Sequence, residues 1–435
     1  VANGLVFIGS GGLSDHRVYA FDATGTTGCS GVPKTCVPMW IGDTPGSVRS
    51  SPAVAGDSLY VGSDASILSV FSLPIPEPFH PLAPERILDT RTGLGAPGPA
   101  KLGPGGAMTL AVTGRAGVPA TGVSAVVLNV TVTEPTAESF LTVWPAGDPL
   151  PVASNLNFRP GQTVPNLVKV KVGAGGAVDI YNNVGSAHVV ADIAGWYGAG
   201  GAGYTPLTPA RILDTRTGDG SPATKLGPGA VRSLQVTGRG GVPATGVTAV
   251  AVNVTVTEPA AGGFLTTWPT GVLPPLTSSL NFAPAQTVAN LAVVKVGTDG
   301  KISFYNGGGG VHVIADVAGW FGPEGETTGA RYHPLAPARV LDTRSGNGAP
   351  TAPLAAGTPM SLQVTGRGGV PDTGVTAVIL NVIAVDPAVG GFLTVWPNGE
   401  ALPLASNLNF ATGQTVPNLV VAKVGAGGKV NIYNG

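Results

Sequence analysis

The chain has 435 residues, enough for three or four domains that each bury a core. Its 23 basic and 24 acidic residues leave a net charge of −1, which excludes the electrostatic footprint of a nucleic-acid or anionic-membrane binder, and no apolar run reaches the roughly 18 residues of a transmembrane helix. Glycine (67) and proline (40) are abundant, yet they punctuate alternating apolar runs, so the composition reads as turn-rich β protein rather than disorder.

The first segment, VANGLVFIGS, is strand-like, and the chain opens inside it with neither Met nor a signal peptide, which predicts a processed or partial product. Its continuous apolar run, Leu5, Val6, Phe7 and Ile8, needs cover on both faces. Cys29 and Cys36, the only cysteines, sit in a Gly/Ser/Pro/Thr-rich loop, which predicts a local disulfide and an oxidising compartment. No His lies nearby to complete a metal site. The stretches HRVYAFDATGTTGCSG and VPMWIGDTPGSVRSSPAVAGDSLYVGSDASILSVFSL resemble the blades of PQQ-like β-propellers. The resemblance covers at most two blades of the roughly four to eight that close a propeller, so it implies no quinone site. Residues 1–75 are thus expected to form an incomplete propeller-like segment, with PIPEP at 74–78 as a stiff linker.

Beyond the linker, RILDTRTG at 86–93 returns at 211–218 and, as RVLDTRSG, at 339–346. That period is too long for a solenoid, so each copy is a domain. The predicted boundaries are 76–200, 201–324 and 325–435. Within each copy, short Val/Thr/Ile/aromatic segments alternate with period two between Gly/Pro turns, which predicts about eight strands in an antiparallel sandwich. The class is therefore all-β, as tandem antiparallel β-sandwich domains after the propeller-like segment. Val126, Leu128, Val130 and Val132 are expected to face the core, with Asn129, Thr131 and Thr133 on a solvated face. The LDTR repeats resemble a domain found in tandem on large secreted proteins of actinobacteria and related bacteria. That resemblance implies an extracellular, modular protein and carries over no binding or catalytic residue.

Few residues suggest chemistry. Asp89 with Arg91, Asp214 with Arg216, and Asp342 with Arg344 recur in all three copies, which points to a structural brace rather than a reaction. GLGAPG at 93–98 matches a phosphate-cradle pattern but lacks the strand–helix context, so it is read as a turn. His188 with Asp192 and His312 with Asp316 could act in acid–base work, yet no nucleophile recurs beside them and the third copy lacks the pair. Trp144, Trp268 and Trp396 are candidate glycan platforms, against a simpler role closing the core. NVT at 129–131 and 253–255 matches a glycosylation acceptor inside a strand and is read as coincidence. No enzyme activity, cofactor or metal is expected.

The third copy stops at GGKVNIYNG, where its siblings continue into AHVVADIAGWYG (187–198) and VHVIADVAGWFG (311–322). Losing such a strand forfeits on the order of 10 kcal/mol of apolar burial and leaves a raw sheet edge. Three explanations follow: the chain continues, a neighbour donates a strand, or residues 1–75 fold back. The apolar run at 5–9 is the obvious donor, and head-to-tail donation that does not close builds a filament. Ile383 and Val385 replace the threonines of the sibling copies and, with Ile432 and Tyr433, are candidate subunit contacts. The expected function is an extracellular structural subunit or stalk of a bacterial surface assembly, partnered by itself or by the remainder of a larger surface protein. The alternative is an adhesin or carbohydrate-binding array that meets a polysaccharide.

Overall fold

The structure is a computed structural model that describes every residue except 1–4, 13–14, 24, 26–28, 39, 56–57, 73–77, 152, 325–328, 334 and 336–337. The chain is all-β and divides into two compact units, Val1–Pro76 and Glu77–Gly435. In the first unit the strands are β1 Leu5–Gly9, β2 Arg17–Asp22, β3 Cys29–Ser30, β4 Thr35–Cys36, β5 Trp40–Asp43, β6 Ala53–Ala55, β7 Ser58–Gly62 and β8 Leu68–Ser72. Two three-stranded antiparallel sheets, β1-β2-β5 and β6-β7-β8, enclose a small core of Val18, Val48, Leu59 and Val61. Trp40 packs edge-on against Phe71 in that core. The β3–β4 hairpin sets Cys29 opposite Cys36 with Cα atoms 4.0 Å apart, and the two form a disulfide.

The second unit holds the three repeats. Repeat 1 contains β9 Phe79–Asp89, β10 Ala107–Ala111, β11 Ala125–Thr133, β12 Ser139–Pro145, β13 Leu156–Phe158, β14 Val164–Lys171, β15 Ala177–Asn182 and β16 His188–Tyr197. Repeat 2 repeats them as β17 Ala202–Asp214, β18 Val231–Gln235, β19 Ala249–Thr257, β20 Gly263–Pro269, β21 Leu280–Phe282, β22 Val288–Lys295, β23 Lys301–Asn306 and β24 His312–Glu324. Repeat 3 has β25 Met360–Gln363, β26 Ala377–Ala384, β27 Gly391–Pro397, β28 Leu408–Phe410, β29 Val416–Lys423 and β30 Lys429–Asn434. In repeats 1 and 2 a four-stranded sheet (β10-β15-β12-β13; β18-β23-β20-β21) faces a second layer of four strands (β14-β11-β16-β9; β22-β19-β24-β17), and these two layers join through Phe79↔Ala202 of β9 and β17 into one eight-stranded sheet. In repeat 3 the first sheet is whole (β25-β30-β27-β28), and the second is reduced to β26-β29.

The period-two pattern accounts for the cores. Val126, Leu128, Val130 and Val132 of β11 point into the sandwich with leucines and valines of the facing sheet, and Val250, Val252, Val254 and Val256 do the same in repeat 2. The opposite face of these strands corrects the sequence expectation. It is not solvated: Asn129, Thr131 and Thr255 are all buried. The reason is that the repeats do not stand apart as beads. A further apolar cluster draws Phe79, Val127 and Leu167 from repeat 1, Ala251, Leu291 and Phe321 from repeat 2, and Leu419 with Ile379 from repeat 3. Burial on both faces is thereby shared among the three.

The open edge also lies elsewhere than expected. β30 is an inner strand, paired with β25 through Met360↔Ile432 and with β27 through Val395↔Ile432. Ile432 is buried in its own core and so is not a free subunit contact, while Tyr433 lies half-buried beside Phe392. The sheet that is narrower in repeat 3 is the other one. β11 pairs with both β14 and β16, whereas β26 pairs only with β29 among the described residues. Ile383 lies on that strand, half-buried, and Val385 just beyond it is exposed. At the other proposed contact, β1 is hydrogen-bonded along its length to β2, from Leu5↔Asp22 to Gly9↔Val18. Phe7 packs on the core of the first unit, Leu5 and Val6 are half-buried, and Ile8 is exposed.

Candidate functional site

Three asparagines define the junction between repeats. Asn166, Asn290 and Asn418 occupy the same position on β14, β22 and β29, in the strand sequences VPNLV, VANLA and VPNLV. An amide buried in an apolar strand must find partners, and here they come from the next repeat. The Asn290 carbonyl accepts the Leu167 N–H, the Asn418 carbonyl accepts the Leu291 N–H, and the Asn166 carbonyl accepts the Leu419 N–H. The chain of contacts runs from repeat 1 to 2, from 2 to 3, and from 3 back to 1. It is a closed cycle with threefold pseudosymmetry.

A second layer follows the same order. Asn290 Nδ2 donates to Asn129 Oδ1, Asn418 Nδ2 to Asn253 Oδ1 and Asn166 Nδ2 to Asn381 Oδ1, each at 2.9 Å. Asn129, Asn253 and Asn381 in turn donate to the carbonyls of Ser278, Ser406 and Ser154. The NVT asparagines are therefore structural and enclosed, which agrees with reading that motif as coincidence. The sequence signal for this ring was present as an Asn recurring in two apolar strands of every copy.

The charged residues form a brace attached to the ring. Arg91 grips Asp89 with two parallel bonds, Nε to Oδ1 at 2.9 Å and Nη2 to Oδ2 at 2.7 Å, while its backbone N–H also donates to Oδ1. Arg216 holds Asp214 and Arg344 holds Asp342 in the same way. Each fork keeps its carboxylate below the ordinary range. The carboxylates anchor the turn over residues 89–95, in which Gly95 has φ +70° and a Cβ there would lie 2.2 Å from the Ile87 carbonyl oxygen. That close approach explains the glycine of GLGAPG without any phosphate.

Arg86 reaches the other way and donates through Nε to Asp192 Oδ1 at 2.8 Å; Arg211 does the same to Asp316. Burial pushes both aspartates above the usual carboxylate range, and the guanidinium groups pull them back only in part. Asp192 and Asp316 also receive the backbone N–H of Ser278 and Ser406 from the neighbouring repeat. A cavity lined by Pro84, Asn129, Asp192 and Ser278 lies at this junction.

The structure separates the residues that acid–base chemistry would need together. His188 Nδ1 lies 3.0 Å from the Thr90 hydroxyl, which accepts the Val189 N–H, while Asp192 is committed to Arg86; His312 and Asp316 repeat the arrangement. The tryptophans are likewise unavailable to a sugar. Trp144, Trp268 and Trp396 are 6%, 3% and 3% exposed, and each indole N–H closes its own hairpin on the carbonyl of Asp148, Val272 or Glu400. The glycan-platform expectation is corrected on that ground. Among the described residues, no three His, Cys, Asp or Glu side chains cluster to hold a metal ion, and no helix is long and apolar enough to cross a membrane.

Repeat 3 carries the same brace with a part missing. Arg339 donates to Asp342 at 2.8 Å but meets no counterpart of Asp192 or Asp316 among the described residues, and its side chain is 45% exposed against 24% and 15% for Arg86 and Arg211. Val340 and Leu341 are only partly buried, where Ile87 and Leu88 are enclosed.

No protein-family model matches the sequence, and a search of curated proteins returns no match. Among solved structures, the N-terminal CBM22-1–CBM22-2 tandem domain of Xyn10C from Paenibacillus barcinonensis is similar at 10% identity over 55% of this chain and 98% of that one, with a TM-score of 0.17. A triple jelly roll chain from the turret assembly of an archaeal virus is similar at 8% identity over 77% and 81%, with a TM-score of 0.18. At such scores neither likeness carries an argument. The description as an array of β-sandwich repeats rests on the strands and sheets themselves.

Proposed function

We propose that this chain is an extracellular, non-catalytic structural part of a bacterial cell-surface assembly, its third repeat completed by a β-strand from the remainder of a larger surface protein or from another subunit. The observation that carries the reading is that the polar residues recurring in the repeats are spent on turn braces and on the asparagine ring that joins the three repeats into one unit; among the described residues β26 also keeps one edge unpaired. Exposed sheet edges are templates for another strand. The polar clusters support a structural role, because each is consumed in bracing a turn or closing the ring. The Cys29–Cys36 disulfide and the LDTR resemblance support an oxidising, extracellular setting.

Head-to-tail donation of Leu5–Gly9 between copies is the filament form of this proposal. It requires β1 to leave the pairing it already makes with β2. An adhesin or polysaccharide-binding reading loses its main support with the burial of the three tryptophans. To test the proposal, the protein is isolated from its source without denaturation and characterised by light scattering and electron microscopy. A higher-mass assembly is expected. A monomer whose third repeat resists hydrogen exchange as well as the first two overturns it.

A further inference from the structure

We infer that Asn347 is a self-modifying site, whose side-chain amide cyclises onto the Gly348 backbone nitrogen, loses ammonia and opens to a carboxylate. The three repeats show how the place is built. The turn that follows each LDTR sequence brings a glycine back against the residues before it, and a Cβ on Gly95, Gly220 or Gly348 would lie 2.2 Å from the carbonyl oxygen of Ile87, Ile212 or Val340. Glycine is therefore fixed there by packing. The residue before it varies and reads Leu94, Asp219 and Asn347. An arginine at the end of the VTGR sequence supplies its partner. Arg239 Nη2 donates to Asp219 Oδ1 at 2.6 Å, and Arg367 Nη2 donates to Asn347 Oδ1 at 2.8 Å. Where Leu94 offers no acceptor, Arg115 turns to the Ala111 carbonyl instead.

Cyclisation of an asparagine has three requirements, and each is met. The attacking nitrogen must be unhindered and unengaged: Gly348 has no side chain, and among the described residues its N–H makes no hydrogen bond. The amide carbonyl must be polarised, and the Arg367 guanidinium on Oδ1 stabilises the negative charge that gathers there as the ring closes. The side chain must be held, and Nδ2 donates to the Arg339 carbonyl at 2.9 Å while the Asp342 N–H pins the Asn347 carbonyl. In the reaction the bond from Gly348 N to Cγ forms and the Cγ–Nδ2 bond breaks. The Gly348 amide proton passes through solvent to Nδ2, which departs as ammonia. Water, the one co-reactant, then opens the succinimide at either carbonyl to give aspartate or isoaspartate. The aspartate product meets Arg367 as Asp219 meets Arg239, so repeat 3 acquires the ion pair that repeat 2 carries from synthesis.

Two further Asn–Gly pairs serve as internal controls. At Asn306 the nitrogen is engaged, since the Gly307 N–H donates to the Phe264 carbonyl, and Nδ2 is held by the carbonyls of Leu226, Gly227 and Gly309. At Asn398 the Gly399 N–H is unengaged, but Oδ1 accepts only the Ser361 hydroxyl and no guanidinium. The test incubates the full chain at neutral and mildly alkaline pH and follows peptide maps by mass spectrometry, in which each conversion adds about 1 Da. Asn347 is expected to convert at least about tenfold faster than Asn398, and Asn306 to persist. Arg367→Leu is expected to bring Asn347 down to the Asn398 rate, with Arg367→Lys between the two and circular dichroism checking the fold of each variant. Asn347 converting no faster than Asn398, or at a rate that neither Arg367 variant changes, overturns the inference. The Asn347→Asp protein is expected to melt no lower than the unmodified chain, and a lower melting temperature overturns the ion pair.

Discussion

At the scale of single residues, the buried polar atoms separate into those the fold needs and those it merely tolerates. The hydroxyls of Thr131 and Thr255 are buried without a hydrogen-bond partner, whereas repeat 3 places Ile383 at the same position. A buried hydroxyl with no partner costs desolvation, and valine has nearly the same shape without it. Thr131→Val and Thr255→Val are each expected to stabilise the protein by about 1 kcal/mol. Thermal or urea melts check this, and a loss of stability would reveal a hidden partner. These threonines were legible as a repeated feature but were placed on a solvated face, because alternation reports that two faces differ and does not say what lies against the second.

Lys169 poses the reverse case, a half-buried charge at the margin of the shared cluster. Its ammonium sits 3.7 Å and 3.4 Å from the ring centres of Tyr197 and Tyr332. The ring faces favour the charged form, but burial wins and lowers its proton affinity, while burial raises that of Tyr197, Tyr204 and Tyr332. Folded Lys169 binds its proton less tightly than unfolded, so its effect on stability improves with pH up to about 10.4. The tyrosines hold theirs more tightly when folded, so what they contribute is complete below about pH 10 and lost above it. Melting temperature is therefore expected to rise gently toward pH 10 and then fall. Lys169→Met should abolish the rise and keep the fall.

At the scale of elements, a strand's behaviour follows from how many neighbours it has. β11 and β19 are paired on both edges, and β26, among the described residues, on one. Half of the β26 amides consequently point at solvent or at a partner, and they are expected to exchange at least about tenfold faster than their counterparts in β11 and β19. Equal rates would show the edge to be covered. That one sheet of repeat 3 is narrower than its siblings' was legible, since three near-identical sequences make the difference visible. Which sheet it is was not legible: β30 is the last strand of repeat 3, yet in space it is an inner strand of the four-stranded sheet, because in the sibling repeats the chain crosses to the opposite layer after the equivalent strand, from β15 to β16 and from β23 to β24. The Asp–Arg braces were legible because they recur in the same way. The second reach of Arg86, to an aspartate 106 residues away, was not, since nothing local marks it.

At the scale of the whole second unit, the asparagine ring couples the repeats. Asn418 accepts from Leu291 N–H and donates to Asn253 and to the Asn407 carbonyl, so Asn418→Ala strands several buried groups at once. The cost is expected to be on the order of 3 kcal/mol. Because the contacts are cyclic, Glu77–Gly435 should melt in one transition, and this substitution should weaken protection in β22 of repeat 2 as well as in repeat 3. Calorimetry with hydrogen exchange decides it; three separable transitions would show that the repeats act independently. The repeat count and the sandwich class could be read from residues alone, whereas the ring could not, because a tandem order along the chain is equally compatible with a row.

A cycle that returns from its last member to its first also counts its members. Each copy must offer one Asn-bearing strand forward and accept one from behind, so the circumference has room for three places and no more. Gene duplication, which readily lengthens a row of modules, is thereby penalised here: a fourth copy would have to sit outside the hoop or force it apart.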